Sequence, residues 1–406
     1  MKILLAHNAY QQPGGEDIVY RNEIQLLRRR GHEVLEYLDD NQRIPGLNSL
    51  QLAIDTVWSR SSYKRMSRAL ADYRPDLVHF HNTFPLISPS AYYAAFKRSV
   101  PIVQTLHNYR LVCPNALLLR DGIPCEDCMG KTFAWPGVVH ACYRGSKRAS
   151  LGVATMLAAH NLIGTWQTKV DIYIALSDFA RQKFIARGLP KDRIVVRPNY
   201  VLEDTADGEG RGGYVLYVGR LSQEKGISVL LSAWAQMERK IPLILVGEGD
   251  ESRSVVEATK RMDHVTWLGA RSKEQVLSLM RQAQMLILPS VCYENFPVVV
   301  AEAYATGLPV VASRIGCLPE IIRNGETGLL FRAADSADLV DVVYRLWDMA
   351  HVMEMRKRAR FEFESKYSSE SAYLALINIY RIAVSRTASS NVVHTVAAEQ
   401  AGRMTT

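Results

Sequence analysis

Short continuous apolar runs recur along the chain, each bounded by Gly, Pro, Asn or Asp and alternating with longer stretches whose apolar residues return every three to four positions. Runs of the first kind suit strands covered on both faces, and the longer period suits helices laid across them, so the pattern predicts parallel α/β architecture. In the first half, strands are predicted at residues 2–6, 33–37, 77–80, 101–106, 172–176 and 194–197. Helices are predicted to begin near Glu16, Gln51, Ser90, Arg148 and Asp178. A second series of strands follows at residues 214–218, 243–246, 265–268, 285–288, 309–312 and 328–331, and beyond Ala337 the chain reads as helix to about Ser385.

The polar, glycine-rich stretch 203–213 separates the two series and marks a domain boundary. The expected units are an N-terminal domain over 1–203, a second domain over 204–365, a C-terminal helix over 366–386 that packs back on the first domain, and a frayed tail over 387–406. A chain of 406 residues also exceeds the size at which one core usually keeps growing. With 48% hydrophobic and 22% charged residues, a disordered or fibrous chain is excluded. The opening segment MKILLAHNAY carries one Lys and breaks at Pro13-Gly14-Gly15 without a small-residue cleavage site, so it reads as a first strand rather than a secretory signal, and a cytoplasmic protein is expected. The uncharged stretch 149–168 has the length of a membrane span but contains His160, Asn161 and Gln167, which favours a helix within the protein.

Charge changes the picture in one respect. The net charge is +8, and residues 1–200 hold 26 Lys and Arg against 16 Asp and Glu, leaving 23 against 25 for the rest. The excess therefore lies in the first half. Arg60, Lys64, Arg65 and Arg68, near Trp58 and Tyr63, form the candidate patch for an anionic membrane surface. No nucleic-acid-binding motif is present.

In open parallel sheets, ligands bind beyond the carboxyl ends of the strands, so the loops there carry the candidate chemistry. Glu294 and Glu302 stand eight positions apart across a strand-to-helix turn, and a carboxylate accepts two hydrogen bonds, which suits vicinal hydroxyls. Arg220 and Lys225 follow the strand at 214–218 and precede a helix, where cations and free backbone N–H groups converge on a diphosphate. Gly14 and Gly15, with Glu16, form a glycine turn after the first strand. His107 and Asn108 end the strand at 101–106, and Asn199 follows Arg197-Pro198 near the boundary. His79 and His81 read as core and rim residues.

Taken together, Gly219-Arg220 with Lys225-Gly226, Gly247-Glu248-Gly249, Glu294 and Glu302 leading to Gly307-x-Pro309, Gly316 with Glu320, and Gly325-x-x-Gly328 resemble glycosyltransferase family four, over nearly the whole chain. The resemblance implies the GT-B fold, two Rossmann-like doubly wound domains facing a central cleft, and retaining transfer of a sugar from a UDP- or GDP-linked donor without a catalytic metal. It implies that Arg220 and Lys225 hold the donor diphosphate, Glu302 the ribose hydroxyls and Glu294 the transferred sugar. The backbone of residues 268–271, Leu268 first, would meet the base, and the amides of Asn295 and Phe296 the sugar or phosphates. Gly14 and Gly15 would lie against donor phosphates or acceptor, and His107 would contact the sugar from the opposite wall. The family often has His-Asp where this chain has His107-Asn108, which weakens a role as base for the second position. The acceptor is expected to be a saccharide or lipid-linked sugar of bacterial surface polysaccharide or glycolipid assembly at the inner membrane face. A sugar-nucleotide epimerase and a catalytically inactive nucleotide-sugar-binding partner are the rival readings.

Cys113, Cys125, Cys128 and Cys142 crowd into one stretch, and a Cys-x-x-Cys with two outlying Cys matches a structural zinc site, with reduced unligated thiols as the alternative.

Overall fold

The computed structural model describes residues 1–12, 14–350 and 352–403, with side chains up to residue 389. Its strands are β1 (Lys2–Ala9), β2 (Glu33–Asp40), β3 (Leu77–Phe80), β4 (Ile102–Leu106), the short pair β5 (Leu119–Arg120) and β6 (Ile123–Pro124), β7 (Ile172–Ala175) and β8 (Ile194–Val196). The second series is β9 (Val215–Val218), β10 (Leu243–Val246), β11 (Val265–Trp267), β12 (Met285–Leu288), β13 (Val310–Ser313) and β14 (Gly328–Phe331). Two six-stranded sheets result, ordered β2-β1-β3-β4-β7-β8 and β11-β10-β9-β12-β13-β14. Every pairing within them is parallel. Both are doubly wound, with the strand order reversing between β1 and β3 in the first and between β9 and β12 in the second.

The apolar runs became strands because helices cover both faces of each sheet. Ile3, Leu4, Leu5 and Ala6 of β1 are wholly buried, with alternate side chains entering different cores. One of those cores is closed by the last helix, Ser369–Arg403, whose Leu376, Ile377, Tyr380 and Ala383 pack with Ile3, Leu5, Leu77, Val103 and Ile172. The C-terminal helix thus crosses back onto the first sheet, and burying a side chain such as Leu376 contributes about 2 kcal/mol. The backbone of this helix continues past residue 386 to Arg403; of the segment read from sequence as a frayed tail, the side chains from 390 onward and all of 404–406 lie outside the described residues.

Two features differ from the sequence expectation. The basic segment forms its own helix, Arg60–Tyr73, buried through Met66 and Leu70. The uncharged stretch 149–168 is broken: helix Lys147–Leu162 ends before Gly164, whose φ of 68° starts the short helix Thr165–Thr168. No helix among the described residues is long and apolar enough to cross a membrane.

A buried ionic cluster ties the first domain together. Glu23, on helix Gly15–Arg29, is wholly enclosed. Its Oε2 meets Arg197 Nη1 at 2.7 Å, and its Oε1 lies 2.9 Å from His79 Nδ1 and 3.2 Å from His81 Nε2. His79 Nδ1 also meets Tyr380 Oη at 2.8 Å, and Arg197 Nε donates to Ala372 O at 3.2 Å, so β3, the segment after β8 and the C-terminal helix converge on one carboxylate. Burial alone would push the Glu23 carboxyl upward; Arg197 and His79 outweigh it and hold the group well below its ordinary 4.5.

Replacing Arg197 by Met should lower the unfolding free energy by about 3 kcal/mol or more, because a buried charge loses its partner; a loss below about 1 kcal/mol in urea denaturation would contradict this role. The depressed carboxyl means that Glu23 contributes stability in full above pH 4.5 and loses it as pH falls through the folded value. Denaturation midpoints measured from about pH 7 down to about pH 3 should therefore decline more steeply in the wild type than in Glu23→Gln.

Candidate functional site

The two switch points face each other across a cleft of about 680 Å³. On the second domain, β9 ends at Val218 and the chain turns through Gly219 and Arg220 into the tight turn Gln223–Lys225. Gly226 follows with φ 73°, and a Cβ there would fall 1.9 Å from Pro289 O. Only glycine allows that approach, which seats the turn against the loop after β12. Lys225 Nζ consequently reaches Glu294 Oε1 at 2.6 Å, and Ser290 Oγ donates to the same oxygen at 2.7 Å. Burial pulls the Lys225 ammonium down, but Glu294 beside it outweighs this and the net direction is upward, so the lysine stays charged.

Eight positions on, Glu302 projects into the cleft from helix Val298–Ala305. Burial raises its carboxyl, and only Lys273 opposes. Between the two acids, Phe296 lines the cleft while its ring packs on Tyr367 at 5.2 Å between centroids. Asn295 is buried with an Oδ1 that has no partner among the described residues. Asn199, after the crossing segment, donates to Phe296 O at 3.0 Å and so joins the domain boundary to this loop.

The opposite wall comes from the first domain. Gly14 caps helix Gly15–Arg29, its N–H held by Asp17 Oδ2 at 2.7 Å, and a Cβ on Gly14 would lie 3.8 Å from the Arg220 guanidinium across the cleft. His107 Nε2 meets His81 Nδ1 at 2.9 Å. Burial and then His81 lower the His107 imidazole well below its ordinary value, so it is neutral. One of these two ring nitrogens donates to the other, which couples His107 to His81 and its neighbour Glu23.

Asn108 pairs with a carboxylate from the turn after β1. Its Nδ2 donates to Glu16 Oε1 at 2.6 Å, while Tyr10 Oη donates to Glu16 Oε2 at 2.7 Å. Glu16 is raised by burial, with these two donors opposing. A carboxylate at 108 would face another carboxylate, so Asn belongs beside Glu16. Sequence reasoning gave Glu16 little weight and missed Tyr10, because their pairing with Asn108 bridges two strand ends that sequence spacing does not relate.

All the predicted donor-side residues line one cleft except Leu268. That residue follows β11 and gives its N–H to Leu245 O at 3.0 Å, and Gly269 O beside it accepts from the N–H of Gly247, which lines the cleft. His79 and His81 are both buried, so neither is a rim residue. The domains also touch outside the cleft: Glu320 accepts from the N–H groups of Asp178 and Phe179 at 2.5 and 3.0 Å, capping helix Asp178–Ala186 from the other domain. Cys113, Cys125, Cys128 and Cys142 line one small pocket as free thiols, but no three of their sulfurs lie within 4.8 Å of one another. The group that does satisfy that spacing among the described residues is Glu23, His79 and His81, already neutralised by Arg197.

Two facing doubly wound sheets, with a cationic turn and an acid pair at one switch point and a glycine turn at the other, define the GT-B architecture. A family described as Glycosyl transferase 4-like domain matches residues 14–200, and one described as Glycosyl transferases group 1 matches residues 212–349. The chain belongs to the group 1 glycosyltransferases of family four. A phosphatidyl-myo-inositol mannosyltransferase of Mycobacterium leprae is 30% identical over 220 residues, 52% of this chain and 58% of that relative's length. An uncharacterized glycosyltransferase of Methanocaldococcus jannaschii is 25% identical over 94% of this chain and 98% of its own. The solved structure of Anabaena HepE with UDP and glucose superposes with a TM-score of 0.65 at 20% identity, covering 93% of this chain and 98% of that one.

Asn108→Asp should destabilise the protein by about 1–2 kcal/mol at pH 8, where two carboxylates would oppose each other, and by less near pH 5, where one can take a proton. Thermal unfolding at both pH values measures the difference; an equal loss at both would refute the pairing.

Proposed function

We propose that the chain moves a sugar from a nucleoside diphosphate sugar, UDP- or GDP-linked, to an acceptor hydroxyl with retention of anomeric configuration. The observation that carries this reading is the Lys225–Glu294 pair, 2.6 Å apart in the cleft, with Arg220 at its open side facing the Gly14 turn. In the absence of a donor, the acid and the lysine satisfy each other. An arriving diphosphate takes the ammonium as its partner, which frees the Glu294 carboxylate to accept from hydroxyls of the sugar. Binding energy thus prepares the sugar-holding group, and Glu302, short of hydrogen-bond donors, accepts from the ribose hydroxyls.

Breaking the anomeric C–O bond places negative charge on the leaving phosphate oxygen. Arg220 and Lys225 stabilise that charge as it grows, with the N–H groups of Asn295 and Phe296 directed at the same region. Gly14 and Gly15 let the first domain's backbone approach the phosphates. His107 meets a sugar hydroxyl on the opposite wall and, being neutral, does not repel developing positive charge on the ring. The departing phosphate receives the acceptor proton on the same face, so no covalent nucleophile and no catalytic metal enter the scheme. The UDP and UDP-glucose complexes of HepE support a uridine donor, while the mannosyltransferase relative keeps a mannosyl donor in view.

The acceptor is a saccharide or a lipid-linked sugar of bacterial surface polysaccharide or glycolipid assembly, reached at the inner membrane face. Exposed Arg60, Lys64 and Arg68, together with exposed Leu50 and Ile54 on helix Ser49–Val57, support peripheral contact with anionic lipid. Arg65 is engaged elsewhere, on Asp39 and the face of Tyr37.

A panel of nucleoside diphosphate sugars screened by thermal shift should contain a stabilising donor. Lys225→Ala and Glu302→Ala should each abolish that shift and lower turnover by about 10²-fold or more; a normal shift in both would refute the site. Proton NMR of the product tests the stereochemistry, and an inverted anomer would overturn the retaining assignment.

A further inference from the structure

The segment from His107 to Ser146 leaves the sheet after β4 and returns only at helix Lys147–Leu162. Within it the regular structure consists of the two-residue strands β5 and β6 and the five-residue helix Trp135–Val139. So long a stretch with so little regular structure is uncommon inside a domain unless something else fixes it. It is nevertheless a wall of the cleft: Asn108, Tyr109, Ala116 and Leu117 line the space, and Tyr109 Oη donates to Glu294 O at 3.4 Å.

At the centre of this segment is a separate enclosed pocket of about 10 Å³, room for a single small ion and not for an organic ligand. Four thiols line it from three arms of the chain. Cys113 follows a turn closed by Cys113 N–H donating to Tyr109 O; Cys125 and Cys128 stand on the turn after β6, with Cys125 N–H donating to Leu118 O; Cys142 follows the short helix, its N–H donating to Gly137 O. The first and third arms are pressed together, since a Cβ on Gly137 would lie 2.7 Å from Pro114 Cγ. Arg120 and Asp127, paired at 2.7 Å, border the same pocket and tie the first arm's ribbon to the Cys125–Cys128 turn.

We propose that Cys113, Cys125, Cys128 and Cys142 bind one zinc ion as a tetrathiolate site that clamps the 107–146 segment. Four neutral thiols from three arms give the segment no cohesion by themselves. A d¹⁰ cation that accepts four sulfurs in a tetrahedron joins all three arms at once, and the thiol protons leave to solvent as the bonds form. Sulfurs around such an ion stand about 3.8 Å apart. Since no three are now within 4.8 Å of one another, binding draws the arms inward. The further consequence, that the clamp fixes the acceptor-facing wall, rests on the transferase reading; the metal site does not.

The test uses the full chain, expressed without a polyhistidine tag in zinc-supplemented medium. Elemental analysis should find about one equivalent of zinc per chain, and thiol-blocking mercurial should release it into a colorimetric chelator. Cys125→Ser with Cys128→Ser should reduce the metal to under about a tenth of an equivalent. Because that variant could also fail to fold, wild type grown with cobalt serves as the second measurement: an intense sulfur-to-cobalt charge-transfer band with tetrahedral visible bands is the expected signature. Zinc below a tenth of an equivalent in the wild type, full zinc retained in the double variant, or intact mass after alkylation showing Cys–Cys bonds would each overturn the proposal. Donor binding by thermal shift should survive in a folded, zinc-free variant, which separates failure of this site from failure of the nucleotide-sugar reading.

Discussion

A carboxylate with no access to water must be answered by the protein, and the first domain is organised around one. Glu23 is answered by Arg197 from the segment that leads toward the second domain, by His79 on β3 and by His81 just beyond it. Tyr380 and Ala372 of the C-terminal helix join the same network through His79 and Arg197. Removing any one of these would leave charge or polarity stranded in a low-dielectric interior. The C-terminal helix is consequently held both by apolar burial and by directional bonds that admit one register. The network also reaches the cleft, since His81 is hydrogen-bonded to His107 at 2.9 Å.

The second domain uses the opposite device. Its cleft ion pair borders open space: Lys225 is partly exposed while Glu294 is nearly enclosed. A buried pair of good geometry stays closed, whereas one at the mouth of a cleft can be opened by an incoming anion at modest cost. On the function proposed above, the first domain supplies a wall fixed by a sealed charge network and the second the ion pair that the donor diphosphate opens. Strand order explains why they meet where they do, because each sheet opens a crevice where its winding reverses and the two crevices face each other.

Much of this was legible in the chain. All twelve strands of the two large sheets stand out in the chain, the central ones as uninterrupted apolar runs because both faces are covered, and edge strands such as β2 as mixed runs with exposed Glu and Asp. Helix Arg60–Tyr73 was not, since its core face rests on Met66 and Leu70 amid Ser, Lys and Arg, a stripe too thin to stand out. The ribbon of β5 and β6 is two residues per strand and carries no period at all. In the cleft, residues adjacent to glycine turns and strand ends were found by position. Glu23 and Glu16 were harder: one resembles an ordinary polar position in a helical stretch, and the other acquires its significance from Tyr10 and Asn108, which only folding brings near.

Glu320 places a side chain of one domain on the exposed amides at the start of a helix in the other. Any outward swing of the lobes leaves that helix with its own Ser177 cap but exchanges the two Glu320 bonds for bonds to solvent, at a net cost of about 1 kcal/mol. The gap between the lobes therefore has a preferred width in the resting protein, and breathing wide enough to admit or expel a bulky molecule proceeds through a state in which this remote latch is undone.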